Sequence, residues 1–269
     1  KIKKVAMLGG GVMGSGIVNL LMKAGLEGVL WDINDGAIEK GVAAIRKTFA
    51  YPIKKRKMSE KDLDTMIENQ LTTTTELEDL KDVDLVIEAV LENMDVKQDI
   101  WKKLEGICRP DVVFATNTSA LPITEMATIL ADPGRMIGLH FFNPADRMPL
   151  LEIICAEKTS DQTLATSVAF GRAIKKIPIV VNDGPGFYVS RQLGGLFGGA
   201  VFLSADGVDG ALLEQAMIDF GMPMGPATLA DLTGIDINYH VNKTFEKRLG
   251  ERYTVHPLTE EIGRASCRE

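Results

Sequence analysis

A run of glycines, Gly9-Gly10-Gly11-Val12-Met13-Gly14-Ser15-Gly16, constrains the fold of this chain more than any other feature. It follows the short apolar run Val5 to Leu8 and opens helical spacing from Val12 to Ala24, so the local reading is strand, tight turn, helix. Within G-x-G-x-x-G, Gly9 permits the turn and Gly11 lets the backbone approach a pyrophosphate. Gly14 allows close helix-to-strand packing, with amide groups at the helix start facing the phosphates. Met13 completes the cofactor-facing turn. A second apolar run, Gly28 to Ile33, carries Asp32 eighteen residues after Gly14, where a carboxylate can accept hydrogen bonds from ribose hydroxyls. That carboxylate repels a 2′-phosphate, and neither Ile33 nor Asn34 is an arginine that could receive one. The pattern therefore points to NAD over NADP, with FAD a lesser competitor. The lysine-led run from Val5 to Met22 also resembles a signal peptide or membrane helix, but its five glycines with Ser15 and Asn19 argue against both.

The rest of the chain repeats the alternation. Helical patterns run from Ala37 to Ala50, Glu60 to Asn69, Val96 to Gly106 and Asp161 to Lys175; buried-looking strands run from Asp84 to Glu88, Val112 to Thr116, Met136 to Phe141, Leu150 to Cys155 and Ile177 to Val181. Such alternation implies a mostly parallel sheet covered by helices on both faces, an α/β fold of Rossmann type. Asn182-Asp-Gly-Pro-Gly-Phe187 reads as a junction, and the pattern beyond it is helical. The expected organisation is an NAD-binding domain over 1–182, a smaller all-α domain over 183–262 for substrate and dimerisation, and a foreign tail over 263–269.

With 269 residues, 30 basic and 37 acidic, the chain is acidic by 7 and lacks the basic excess of a nucleic-acid binder. Its three cysteines, Cys108, Cys155 and Cys267, are far apart and without CxxC spacing, so neither a disulfide framework nor a zinc site is expected. A reducing compartment follows, most simply bacterial cytoplasm, or an organelle matrix in a eukaryote. No metal is expected.

Three histidines, His140, His240 and His256, allow the candidate bases to be weighed singly. His140 ends an apolar strand, where open α/β sheets line their ligand crevice. Glu152 interrupts the apolar strand Leu150 to Cys155, and a buried carboxylate needs a partner that an imidazole can provide. The residues by themselves equally allow a buried, structural His140.

The ordered set Gly-Gly-Gly-Val-Met-Gly-Ser-Gly, Val-Ile-Glu-Ala-Val-Leu-Glu, Thr-Asn-Thr-Ser, His-Phe-Phe-Asn-Pro and Asp-Gly-Pro-Gly-Phe resembles the L-3-hydroxyacyl-CoA dehydrogenase family over about residues 3 to 240. Arg147-Met-Pro-Leu150 is most similar to the dehydrogenase part of the multifunctional alpha subunit of the fatty-acid oxidation complex. The resemblance implies NAD-dependent oxidation of 3-hydroxyacyl-CoA in β-oxidation, with His140 as base and Glu152 orienting it. It also implies that Ser119 and Asn143 contact cofactor and substrate, that Glu92 and Lys97 are cofactor-side residues, and that the helical domain, where complete, makes a homodimer. Further partners would be the remainder of a multifunctional chain and a thiolase subunit; no nucleic acid or membrane span is implied. A short-chain 3-hydroxybutyryl-CoA dehydrogenase, a relative acting on a free sugar acid and a weakly active or non-catalytic NAD-binding relative are the alternatives.

Two departures bear on activity. Ser190 stands where the family reads Asn after Pro-Gly-Phe, which shortens the reach toward substrate and predicts a slower enzyme. The chain ends before the family's Gly-rich, aromatic closing motif and starts at the strand without Met, reading as a unit cut from a longer protein. Lys54 to Lys57 form the one dense basic run, near the CoA entrance by resemblance, though a solvated helix end is the plainer reading.

Overall fold

The computed structural model describes residues 1–266; Cys267 to Glu269, the end of the expected tail, lie outside the described residues. The chain divides into two compact units, one from Lys1 to Asp183 and one from Gly184 onward.

The first unit runs β1 (Lys4–Leu8), α1 (Val12–Lys23), β2 (Glu27–Trp31), α2 (Asp35–Thr48), α3 (Ala50–Lys54), α4 (Glu60–Gln70), β3 (Leu71–Thr74), β4 (Leu85–Glu88) and α5 (Met94–Ile107). It continues through β5 (Val113–Thr116), α6 (Ile123–Ala127), β6 (Met136–Phe141), β7 (Leu150–Cys155), α7 (Asp161–Ala173) and β8 (Ile177–Asn182). The eight strands form one sheet in the order β3-β2-β1-β4-β5-β6-β7-β8. All neighbours are parallel except β6 and β7. Every residue of β4, β5 and β6 is buried, as expected of strands covered on both faces. β8 is an edge strand, with Ile177 and Val180 exposed and Pro178 tolerated because one side has no neighbour to bond.

Two features of this unit were not anticipated. Leu-Thr-Thr-Thr forms the half-exposed edge strand β3, where β-branched side chains suit the pleat although the segment has no apolar run. β7 turns back on β6 directly, without a crossover helix, which brings residues twelve apart in sequence opposite one another at His140 and Glu152.

In the second unit the described residues form α8 (Val189–Ala205), α9 (Gly210–Phe220), α10 (Pro226–Thr233), α11 (Ile235–Leu249) and α12 (Pro257–Ser266). Asp209 caps α9 by accepting from Ala211 N at 2.8 Å and Leu212 N at 3.3 Å. Phe245, fully buried, stacks edge-on against Tyr253 with ring centroids 5.1 Å apart. No described helix is long and apolar enough to cross a membrane.

Candidate active site

The glycine turn is built by contact. A Cβ on Gly14 would lie 1.9 Å from the Gly9 carbonyl oxygen, and one on Gly9, held at φ +93°, would lie 2.8 Å from the Ala89 carbonyl oxygen. Over Gly11 there is open space, with nothing within 4 Å of where a Cβ would stand. No side chain caps α1 and no acidic residue occupies its first turn, so its leading amides and positive dipole end face outward beside Val12 and Met13. Asp32, just past the end of β2, accepts from Gly10 N at 2.9 Å and Ile33 N at 2.8 Å, which fixes its carboxylate beside the turn. An open glycine, an uncapped helix start and a positioned carboxylate fit a dinucleotide with an unphosphorylated ribose.

His140 and Glu152 occupy directly opposed positions of the antiparallel β6–β7 pair, so their side chains share one face. His140 Nδ1 lies 2.7 Å from Glu152 Oε2; the ring is 5% exposed and the carboxylate fully buried. With Nδ1–H donating to the carboxylate, the ring's lone pair is on Nε2. The Phe142 ring packs on the imidazole, centroids 4.6 Å apart.

Between the glycine turn and this pair lie the ends of β4 and β5. Glu88 ends β4 fully buried, with Oε1 accepting from Lys97 Nζ at 2.5 Å and Val90 N at 2.8 Å, and Oε2 from Thr116 Oγ1 at 2.8 Å. Lys97, 1% exposed, also reaches Glu92 Oε2 at 3.2 Å. Glu92 Oε1 accepts from Thr118 Oγ1 and, at 3.2 Å, from Ser119 N. The ammonium of Lys97 is thus committed to two carboxylates, and the backbone of Ser119 is tied to Glu92.

Asn143 is exposed in the β6–β7 connection. Lys176 pins that connection: its buried ammonium donates to the carbonyls of Ala145 and Met148, both at 2.5 Å, and burial lowers its pKa. Asn117 Oδ1 accepts from Phe141 N at 2.9 Å, joining the ends of β5 and β6. Lys54 to Lys57 lie exposed at the end of α3 and in the turn after it, where Arg56 adopts φ 54°. Ser190 lies in the first turn of α8, in the second unit. Among the described residues no cluster of His, Cys, Asp and Glu could hold a metal ion.

Glu88, Thr116 and Asn117 escaped the reading of site residues. The signals were present: Glu88 is an acidic residue closing a fully apolar strand, and Lys97 shares the buried face of α5 with Trp101 and Leu104 at i, i+4 and i+7.

A family model described as 3-hydroxyacyl-CoA dehydrogenase, NAD binding domain, matches residues 4–184, and one described as 3-hydroxyacyl-CoA dehydrogenase, C-terminal domain, matches residues 186–267. The fatty acid oxidation complex subunit alpha of Shewanella oneidensis is 41% identical over 254 residues, covering 94% of this chain and 36% of that protein. That of Shewanella loihica is 42% identical over 253 residues, with the same 94% and 36% coverage. The chain spans about a third of the length of these curated relatives. Among solved structures, (S)-3-hydroxybutyryl-CoA dehydrogenase from Ralstonia eutropha superposes with a TM-score of 0.93 at 35% identity, covering 98% of this chain and 94% of that one. The Escherichia coli 3-hydroxybutyryl-CoA dehydrogenase gives 0.91 at 29% identity, over 97% of this chain and 56% of that one. The chain belongs to the 3-hydroxyacyl-CoA dehydrogenase family, and its first unit is that family's NAD-binding domain.

Proposed function

We propose that this chain oxidises L-3-hydroxyacyl-CoA to 3-oxoacyl-CoA, with His140 as the general base. The observation that carries the reading is the 2.7 Å bond between His140 Nδ1 and Glu152 Oε2, on opposed strands at the carboxyl end of β6. NAD, when bound, supplies the hydride acceptor. His140 Nε2 takes the proton of the substrate hydroxyl as the carbonyl forms. Glu152 holds the ring in the tautomer that leaves Nε2 basic and offsets the charge of the imidazolium. Ser119 and Asn143 contact the reacting end of the substrate and the cofactor, and Asp32 selects NAD over NADP. In the second unit, which serves as the substrate side, Ser190 makes a weaker contact than the family's Asn, and turnover is slower for it.

The curated relatives are alpha subunits of a fatty acid oxidation complex, which supports a role as the dehydrogenase portion of a larger β-oxidation protein in the bacterial cytoplasm, working with a thiolase subunit. Two structural neighbours are named 3-hydroxybutyryl-CoA dehydrogenases, and they favour a short acyl chain as the second reading.

The test is to incubate the protein with NAD or NADP and a series of 3-hydroxyacyl-CoA esters of increasing length and both configurations, following reduced cofactor by absorbance. Turnover is expected with NAD and the L esters. Reduction of NADP in preference to NAD, or turnover of D esters alone, would overturn the reading; the length profile separates the short-chain alternative. Ser190→Asn is expected to raise turnover several-fold, and no gain on any ester would remove that position from the rate.

A further inference from the structure

The chain leaves β6 directly after His140 and Phe141 and returns in β7 at Leu150. Between them, Phe142 packs on the imidazole, while Asn143 is exposed and makes no side-chain hydrogen bond among the described residues. Asn143 therefore stands where its backbone puts it. The backbone that follows is a turn, in which Arg147 N and Met148 N both donate to the Pro144 carbonyl at 3.0 Å. That turn rests on α1: Ala145 is buried, and a Cβ on Gly16 would lie 3.1 Å from the Ala145 Cβ.

Lys176, the residue before β8, grips the same turn. It is 7% exposed, its ammonium donates to the carbonyls of Ala145 and Met148, and it makes no ion pair among the described residues. Its own backbone is anchored, with Lys176 N donating to the Gly171 carbonyl at 2.9 Å and Ile177 N to the Pro149 carbonyl at 2.8 Å. A buried ammonium answered by carbonyls alone is costly, and the loss of hydration lowers its pKa. An apolar side chain of similar length would fill the space without that cost. It could not, however, bond two carbonyls three residues apart and fix the turn between them.

We propose that Lys176 is a positioning residue for the oxidation: its ammonium holds the turn on α1 and so fixes where Asn143 stands beside the His140–Glu152 pair. The inference rests on the contact proposed above for Asn143. It requires no contact between Lys176 and substrate or cofactor, because the effect is carried by the backbone, and the nearer of the two bonded carbonyls is two residues from Asn143.

The test is a double-mutant cycle in steady-state kinetics with NAD and an L-3-hydroxyacyl-CoA ester. Lys176→Met removes the two hydrogen bonds at nearly constant length, and Asn143→Ala removes the side chain whose place they set. Lys176→Met alone is expected to lower kcat/KM for the ester about tenfold, with KM raised. In the Asn143→Ala background the same change is expected to cost nothing further, because the misplaced group is already gone. A merely structural lysine would lower the folded fraction, and so kcat, alike in both backgrounds and leave KM where it is. Equal losses in the two backgrounds, or a Lys176→Met protein with undiminished kcat/KM, would overturn the inference. Should Lys176→Met fail to fold, Lys176→Gln keeps a donor for one carbonyl and is put through the same cycle; a loss that persists in the Asn143→Ala background overturns the inference there too. Unchanged kinetics in Asn143→Ala alone would instead overturn the contact proposed for Asn143.

Discussion

Glu152 on β7 and Glu88 on β4 are both fully buried carboxyl groups near the same end of the sheet's strands, and they differ in the partner each is given. Glu152 faces an imidazole, which has a second ring nitrogen besides the one bonded to the carboxylate; Glu88 faces an ammonium and a threonine hydroxyl, which both donate to it. Equal burial therefore serves two ends. At β6–β7 the pair can accept a proton and stabilise it, while at β4–β5 the charges stay where the fold puts them. The type of partner, more than the depth of burial, separates a group suited to proton transfer from one suited to holding the fold together.

That contrast can be broken most severely at the base. His140→Gln keeps a hydrogen-bonding side chain opposite Glu152 but removes the basic nitrogen, and turnover is expected to fall by about 10³-fold or more, with NADH affinity nearly unchanged. Glu152→Gln leaves the ring in place without its charged partner and is expected to cost about 10²-fold in turnover, steady-state kinetics again providing the measurement. The same substitution at Glu88 should act on stability first: removing one member of a buried ion pair is expected to cost ~3 kcal/mol in urea denaturation, against ~1 kcal/mol for Thr116→Val. Equal kinetic losses for Glu152→Gln and Glu88→Gln would erase the distinction between the two carboxylates.

The smallest expected effect lies at the other end of β4. Burial raises the pKa of Asp84, but the amides of Lys3 and Lys4 and the guanidinium of Arg109 outweigh it, and the net shift is downward. A lowered carboxylate pKa contributes stability above the unfolded value of about 4, and the contribution is lost as pH falls through the folded value. Asp84→Asn is therefore expected to lower the melting temperature slightly at pH 7 and leave it unchanged near pH 2. A deficit that persisted at the lower pH would assign the effect to packing.

Much of the first unit was legible because its signals are local. The glycine turn, the helix after it and the apolar strands each announce themselves within about a dozen residues, and Asp32 is found by counting from Gly14. His140 and Glu152 were each visible as polar residues on apolar strands, but their pairing depends on β7 running antiparallel to β6, which the alternation of elements does not give. β3 was missed because three threonines on an edge strand carry no apolar run. Lys97 is a cofactor-side residue by resemblance alone; in the structure its buried ammonium pairs with Glu88 and Glu92. Only its spacing with Trp101 and Leu104 on α5 hinted that it faces inward.

The central claim, that the His140–Glu152 pair is the proton acceptor of an NAD-dependent oxidation, is tested most directly by comparing His140→Gln with the unaltered protein in NADH formation from an L-3-hydroxyacyl-CoA ester, alongside NADH binding to both. The account predicts that NADH formation all but disappears in the variant while NADH still binds. Turnover undiminished in the variant would contradict it.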